Sequence, residues 1–215
     1  EIKNPLTPIQ LTIDKLKNKY SNQMNKKDAT NFKDNLKIIN NQIKQIEKLV
    51  NEFSDFARMP KPIFQKNDLI ILIKDNIKLL KELDVSIEII LSNNLEKIML
   101  DSDKEQLSRV FFNLIKNSIE SIHQKVEKDS NSNKKISIEL VDQDDHIDLV
   151  IVDTGIGFKN LKSNIKDILN PYFTTKKNGT GLGLSIVNKI INDHNGKIVF
   201  IPIDMGAKIK IVFLK

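Results

Sequence analysis

The chain has 215 residues, is 40% hydrophobic and 29% charged, carries a net charge of +6 and contains no cysteine. That length holds one large domain or two small ones, and the composition is that of a globular protein. The missing cysteine excludes disulfides, thiolate metal sites and a cysteine nucleophile, and the lysines are scattered among the acids rather than run together, so the positive balance does not read as a nucleic-acid footprint.

His123, His146 and His194 lie too far apart to show a metal-ligand spacing. No apolar stretch approaches the roughly 20 residues of a membrane span. The first residue is Glu rather than Met, which reads as a piece of a longer protein whose upstream part could include a membrane segment.

Residues 1–59 carry two apolar stripes. Ile2, Leu6, Ile9, Ile13, Leu16 and Tyr20 form the first, and Ala29, Phe32, Leu36, Ile39, Ile43, Ile46, Val50, Phe53 and Ala57 the second. Steps of four and three alternate, which is the 3.5-residue repeat of a helical seam. The polar segment 22–28 joins the two helices into a hairpin, and Asp28 is placed to cap the second. A hairpin leaves such stripes half covered, so a second copy is expected to complete a dimeric four-helix bundle. Met59-Pro60-Lys61-Pro62 ends the second helix and marks a domain boundary.

Beyond that boundary the pattern predicts a helix over 68–83, a strand over 85–91, a short strand at 98–100 and a long amphipathic helix over 103–122. A polar loop covers 127–135. A strand hairpin spans 136–141 and 146–152, turning at 142–145. Residues 158–175 are irregular with one short helix. A helix over 182–192 and strands over 197–203 and 207–214 close the chain. The fold class is α+β: an N-terminal helical hairpin over 1–59, then an α/β sandwich over 60–215.

Five of the seven glycines fall at 155, 157, 179, 181 and 183, in tight G-x-G pairs. Glycine costs conformational entropy, so such clustering implies close approach of backbone to a ligand. Asp153 precedes the first pair, and a helix start follows the second. A carboxylate can read a base, and loop amides at a helix start can hold phosphates. No Gly-Lys-Ser/Thr follows, so this is not a Walker loop, and G-x-G-x-G is not the dinucleotide fingerprint. Asp153-Thr154-Gly155 also matches the aspartic-protease signature, but that chemistry needs two such carboxylates. Asn113 and Asn117, with Glu120, share one face of the long helix, a set of oxygen donors suited to Mg²⁺. His194 sits at a helix end beside a turn and reads as structural.

Four segments carry a family resemblance. Phe111-Phe112-Asn113-Leu114-Ile115-Lys116-Asn117-Ser118-Ile119-Glu120, Asp153-Thr154-Gly155-Ile156-Gly157, Asn170-Pro171-Tyr172-Phe173-Thr174-Thr175-Lys176 and Gly179-Thr180-Gly181-Leu182-Gly183-Leu184 resemble, in order, the N, G1, F and G2 boxes of the sensor histidine kinase ATP-binding domain. That domain is of the Bergerat type shared with gyrase, Hsp90 and MutL. Glu1-Ile2-Lys3-Asn4-Pro5-Leu6-Thr7-Pro8-Ile9 resembles the start of the dimerisation and phosphotransfer hairpin, especially in nitrogen-regulation kinases of the NtrY type.

The resemblance implies an ATP-dependent protein-histidine kinase of two-component signalling, also able to act as a response-regulator phosphatase. ATP and Mg²⁺ would bind through Asn113, Asn117, Asp153, Gly155, Gly157, Lys176, Gly179, Thr180, Gly181, Leu182 and Gly183. Asp153 would accept from the adenine amino group, Asn117 would ligate the metal, and Lys176 with the second glycine loop would close as a lid. Glu1 would serve as base beside a phosphoacceptor histidine expected just before it, and Asn4 would position water. The implied partners are a second copy and a response-regulator receiver domain. The implied location is the cytoplasmic side of a sensor anchored in the inner membrane upstream. Because the acceptor histidine is not in this chain, a nucleotide-binding scaffold without transfer is the alternative. Ala207 departs from relatives that carry threonine near the adenine. Movement between the two domains is expected at 59–62.

Overall fold

A computed structural model describes residues 6–20, 26–127, 129, 132–158, 165–176 and 179–215. The chain divides into two compact units, residues 1–59 with Thr174–Leu182, and Pro60–Phe173 with Gly183–Lys215.

In the first unit, helix α1 spans Leu6–Tyr20 and α2 spans Lys26–Ala57. The heptad stripe splits into two sets. Ile13, Leu36 and Ile43 are buried between the helices, with Leu6 and Phe32 packed against them. The alternate positions Ile9, Leu16, Ile39, Ile46 and Phe53 are 38–58% open to solvent together with Leu11, Ile38 and Leu49 at their flanks. Two helices in contact can cover only one line of a two-line seam, so every second apolar step remains outside.

In the second unit, β1 (Gln65–Asp68) pairs antiparallel with β3 (Met99–Ser102). A five-stranded sheet has the order β2-β4-β5-β7-β6, built from β2 (Glu88–Asn93), β4 (Lys135–Asp142), β5 (His146–Asp153), β6 (Gly196–Pro202) and β7 (Ala207–Leu214). Among the described residues of this sheet, β2 and β4 pair parallel and the other neighbours antiparallel. Helices α3 (Leu69–Leu83), α4 (Lys104–Val126) and α5 (Gly183–Asp193) pack side by side over it, α4 touching both others. A short 3₁₀ turn covers Ile165–Leu169.

Period-two alternation places Ile147, Leu149 and Ile151 inward, with Ile136, Ile138 and Leu140 beside them and Ile209, Ile211 and Phe213 beyond. Leu107, Val110, Phe111, Leu114, Ile115 and Ile122 of α4 fill the other side of this core. Each such side chain stabilises the fold by roughly 1.5–3 kcal/mol through removal from water. Asp68 caps α3 by accepting from the Ile70 amide at 3.0 Å, and Asp103 caps α4 by accepting from Gln106 N at 3.0 Å.

Two local expectations shift. Residues 65–68 are polar and gave no strand signal, yet they form β1 by pairing with β3. The expected strand start at Val85 is instead a loop position, 90% exposed, and β2 begins at Glu88, where pairing with Lys135 starts.

Candidate functional site

The alternation that buries the apolar residues of β5 ends on Asp153, whose carboxyl therefore also points inward and is only 3% exposed. Its Oδ1 accepts from the Gly155 amide at 2.9 Å and the Ala207 amide at 3.3 Å. The sheet register sets the second contact, because Asp153 pairs with Ala207 across β5 and β7. Both amides fall on one oxygen, so the backbone fixes the carboxyl through Oδ1. Burial pushes this carboxyl's pKa up, against the opposing pull of Gly155, Ser118, Ala207 and Lys125. The Ser118 hydroxyl, buried on α4, lies beside this carboxyl and favours its charged form. A buried carboxyl and hydroxyl side by side form a polar spot in an otherwise apolar core.

Glycine is required around this spot for steric reasons. A Cβ on Gly155 would stand 2.2 Å from Ser121 Oγ. Gly157 has φ +66° and its Cβ would meet the Gly206 carbonyl oxygen at 2.2 Å. Gly206, at φ +86°, lies so close under Asp153 that a Cβ would sit 1.7 Å from the Asp153 carbonyl oxygen. The loop is tied to α4 by Ile156 N donating to Ser121 Oγ at 3.1 Å and Lys125 Nζ donating to Thr154 O at 2.8 Å. Thr154 Oγ1 in turn donates to Asn133 O and accepts from Lys135 N.

Asn113, Asn117 and Glu120 are half-buried along α4. Asn113 Oδ1 lies 3.9 Å from the place a Gly183 Cβ would take, so the start of α5 comes close to the middle of α4. The structure thus brings Asn113, Asp153, Gly155, Gly157 and Gly183 into one unit with Asn117. Among the described residues no three His, Asp or Glu side chains gather to hold a metal ion.

Lys176, Gly179, Thr180, Gly181 and Leu182 belong to the first unit. There the Gly179 amide donates to Lys176 O at 3.2 Å, and Lys176 N to Thr174 Oγ1 at 3.1 Å. Gly181 has φ +71°. The Thr180 hydroxyl donates to the Glu52 carboxylate on α2. Tyr172, just before this segment, is held at φ 68°, a conformation that costs a bulky residue energy. Glu1 and Asn4 lie outside the described residues.

Sequence reasoning missed Ser118, Ser121, Lys125 and Gly206 as parts of the site. Ser121 stands four residues after Asn117 on the asparagines' face, a signal open to reading, whereas Ser118 lies about 100° round the helix from Asn117. Gly206 shows only as a turn glycine before the last strand.

The profile of the "Histidine kinase-, DNA gyrase B-, and HSP90-like ATPase" family matches residues 102–215, and that of the "His Kinase A (phospho-acceptor) domain" matches residues 1–62. An NtrY-like sensor histidine kinase of Rickettsia prowazekii is 36% identical over 99% of this chain, and the nitrogen regulation protein NtrY of Azorhizobium caulinodans is 34% identical over 92%. This chain spans 34% and 25% of those two proteins. The catalytic domain of histidine kinase ThkA superimposes with a TM-score of 0.61 at 27% identity, covering 71% of this chain and 96% of that one. ThkA in complex with response regulator protein TrrA matches in fold over 100% of this chain and 61% of its own, with a TM-score of 0.67 at 23% identity.

Proposed function

The chain belongs to the sensor histidine kinase family, and from that premise we propose that it is the catalytic core of a kinase that binds ATP with Mg²⁺, phosphorylates a histidine just before Glu1 and passes the phosphoryl group to a receiver aspartate. Residues 1–59 serve as the dimerisation and phosphotransfer hairpin, and 60–215 as the ATP-binding domain.

The observation that carries this reading is Asp153, a buried carboxyl held through one oxygen by two backbone amides, and the reading gives its other oxygen the exocyclic amino group of adenine. Ser118 supplies a second polar group at the same depth. Gly155, Gly157 and Gly206 keep the wall beside them free of side chains. Asn117, with Asn113 alongside, offers amide oxygen to the cation, which when bound neutralises phosphate charge during transfer. Lys176 and the amides of Gly179, Thr180, Gly181, Leu182 and Gly183 hold the phosphates. Glu1 takes the proton from the acceptor imidazole, and Asn4 orients water for the reverse, phosphatase direction. Most of the rate enhancement comes from positioning and charge neutralisation.

The exposed half of the heptad stripe supports a homodimer, since Ile9, Leu16, Ile39, Ile46 and Phe53 would be covered in a four-helix bundle. A receiver domain is the expected second partner, as in the ThkA complex with TrrA. No helix among the described residues is long and apolar enough to cross a membrane. From the family we place it on the cytoplasmic side of a sensor anchored upstream.

Calorimetry with ATP and Mg²⁺ tests the binding. Incubation of the parent protein with γ-labelled ATP tests the transfer, and acid-labile, base-stable label is the expected product. A parent protein that binds ATP but takes up no label would be a scaffold.

A further inference from the structure

The ATP-site reading leaves a second polar cluster unused, at the N-terminus of α4. His194 is 4% exposed, and its Nδ1 lies 2.8 Å from the Ile190 carbonyl oxygen. A carbonyl only accepts, so Nδ1 carries the proton. Nε2 then offers a lone pair, which accepts from the Asp103 amide at 3.0 Å. The imidazole is neutral in one tautomer, with both nitrogens satisfied.

Asp103 has two occupied oxygens. Oδ1 caps α4 through Gln106 N at 3.0 Å, while Oδ2 accepts from the amide of Ile63, forty residues earlier, at 2.9 Å. Gln106, 8% exposed, sends Nε2 back to the Pro60 carbonyl at 3.0 Å. Its Oε1 finds no partner among the described residues. The Phe64 ring stands edge-on to His194 with centroids 5.2 Å apart. Capping α4 needs one oxygen of Asp103 only. Burying a glutamine with an orphan oxygen does nothing for α4, where an apolar residue would pack without that penalty. The second oxygen and the glutamine donor both act on residues 60–64, which Pro60 and Pro62 already stiffen.

We propose that Asp103, Gln106 and His194 form a clasp that fastens residues 60–64 to the first turn of α4, the helix that carries Asn113 and Asn117. They are positioning residues for phosphoryl transfer. With the strap held from Pro60 onward, backbone displacement arriving through Met59 reaches α4 instead of being lost in slack chain. Freedom along the connection is confined to the residues before Pro60, a narrower span than 59–62. The role in transfer rests on the kinase reading; the fastening itself does not.

Two isosteric variants separate the clasp from the helix cap. Asp103→Asn keeps one oxygen for Gln106 N and gives up the second acceptor. Gln106→Glu keeps the shape and removes the donor to Pro60. In the full-length parent protein, hydrogen exchange at the Ile63 amide is expected to speed up at least tenfold in either variant, with α4 amides beyond the first turn unchanged. The KM for ATP is expected to stay within twofold while the autophosphorylation kcat falls at least fivefold. Unchanged exchange at Ile63 would overturn the clasp. So would faster exchange with kcat intact, or a fall in kcat matched by an equal rise in KM, the pattern of a merely structural loss. If the unaltered parent binds ATP but transfers no phosphate, the kinase reading fails by itself, and exchange at Ile63 alone then decides the fastening.

Discussion

At the scale of single residues, the site turns on the cost of keeping one carboxylate dry. Burial raises the Asp153 pKa, so between its unfolded and folded values the native state holds more protons than the unfolded chain. Stability from this group is therefore greatest below the unfolded pKa and declines as pH rises through that window; at neutral pH the ionised form is a standing cost. Asp153→Asn removes that cost and keeps an oxygen for Gly155 and Ala207. Its unfolding free energy in urea should stay within about 1 kcal/mol of the parent. ATP binding should weaken by about 1.5–3 kcal/mol, the worth of a hydrogen bond to a charged acceptor. Titrating the unaltered protein by calorimetry should show ATP affinity falling on acidification at a higher pH than an ordinary carboxylate would give. Asp103 has the opposite sign. Burial disfavours its charge, but the amides of Ile63, Gln106 and Glu105 outweigh this and lower its pKa, so its stabilisation is present at neutral pH and lost on strong acidification. Gly206→Ala, driven into the Asp153 carbonyl at a positive φ, should cost at least about 2 kcal/mol and abolish ATP binding.

At the scale of elements, the two halves of the heptad stripe make separable predictions. Ile43 is 4% exposed between α1 and α2, and Ile43→Ala should destabilise the hairpin by about 2–5 kcal/mol in thermal melts. Ile46, at 48% exposure, lies on the open side of α2. Ile46→Glu should leave helicity by circular dichroism intact while sedimentation shows a monomer in place of a dimer. Long elements with a strong period were legible, because α2 and α4 each repeat their apolar face over many turns. Short elements were not. Gln65-Lys66-Asn67-Asp68 has no apolar period and becomes a strand only through its partner β3. Helix α4 runs past the expected end at Ile122 to Val126, where Lys125 reaches Thr154 O.

At the scale of the whole molecule, binding energy for ATP is spent on a folded site and should appear as stability. With ligand at a hundred times its Kd, the ATP-binding unit gains about 2.7 kcal/mol, so Tm should rise with ATP and Mg²⁺ and fall back when EDTA is added. The match of an isolated ThkA catalytic domain to 71% of this chain leads to the same measurement on residues 60–215 alone. That piece should melt cooperatively and keep its response to ATP.

The family was legible from the sequence because the glycine loops, the paired asparagines and the run at Asp153 are each short local motifs. The heptad showed where helices would lie, since helical period is also a local property. Which oxygen of Asp153 the backbone amides take, that Gly206 lies beneath it, and that Pro60 and Ile63 are bound by Gln106 and Asp103 next to His194 were decided only by tertiary structure. Those contacts join residues 40 to more than 90 positions apart, and sheet register and helix packing, not neighbouring residue types, bring them within reach.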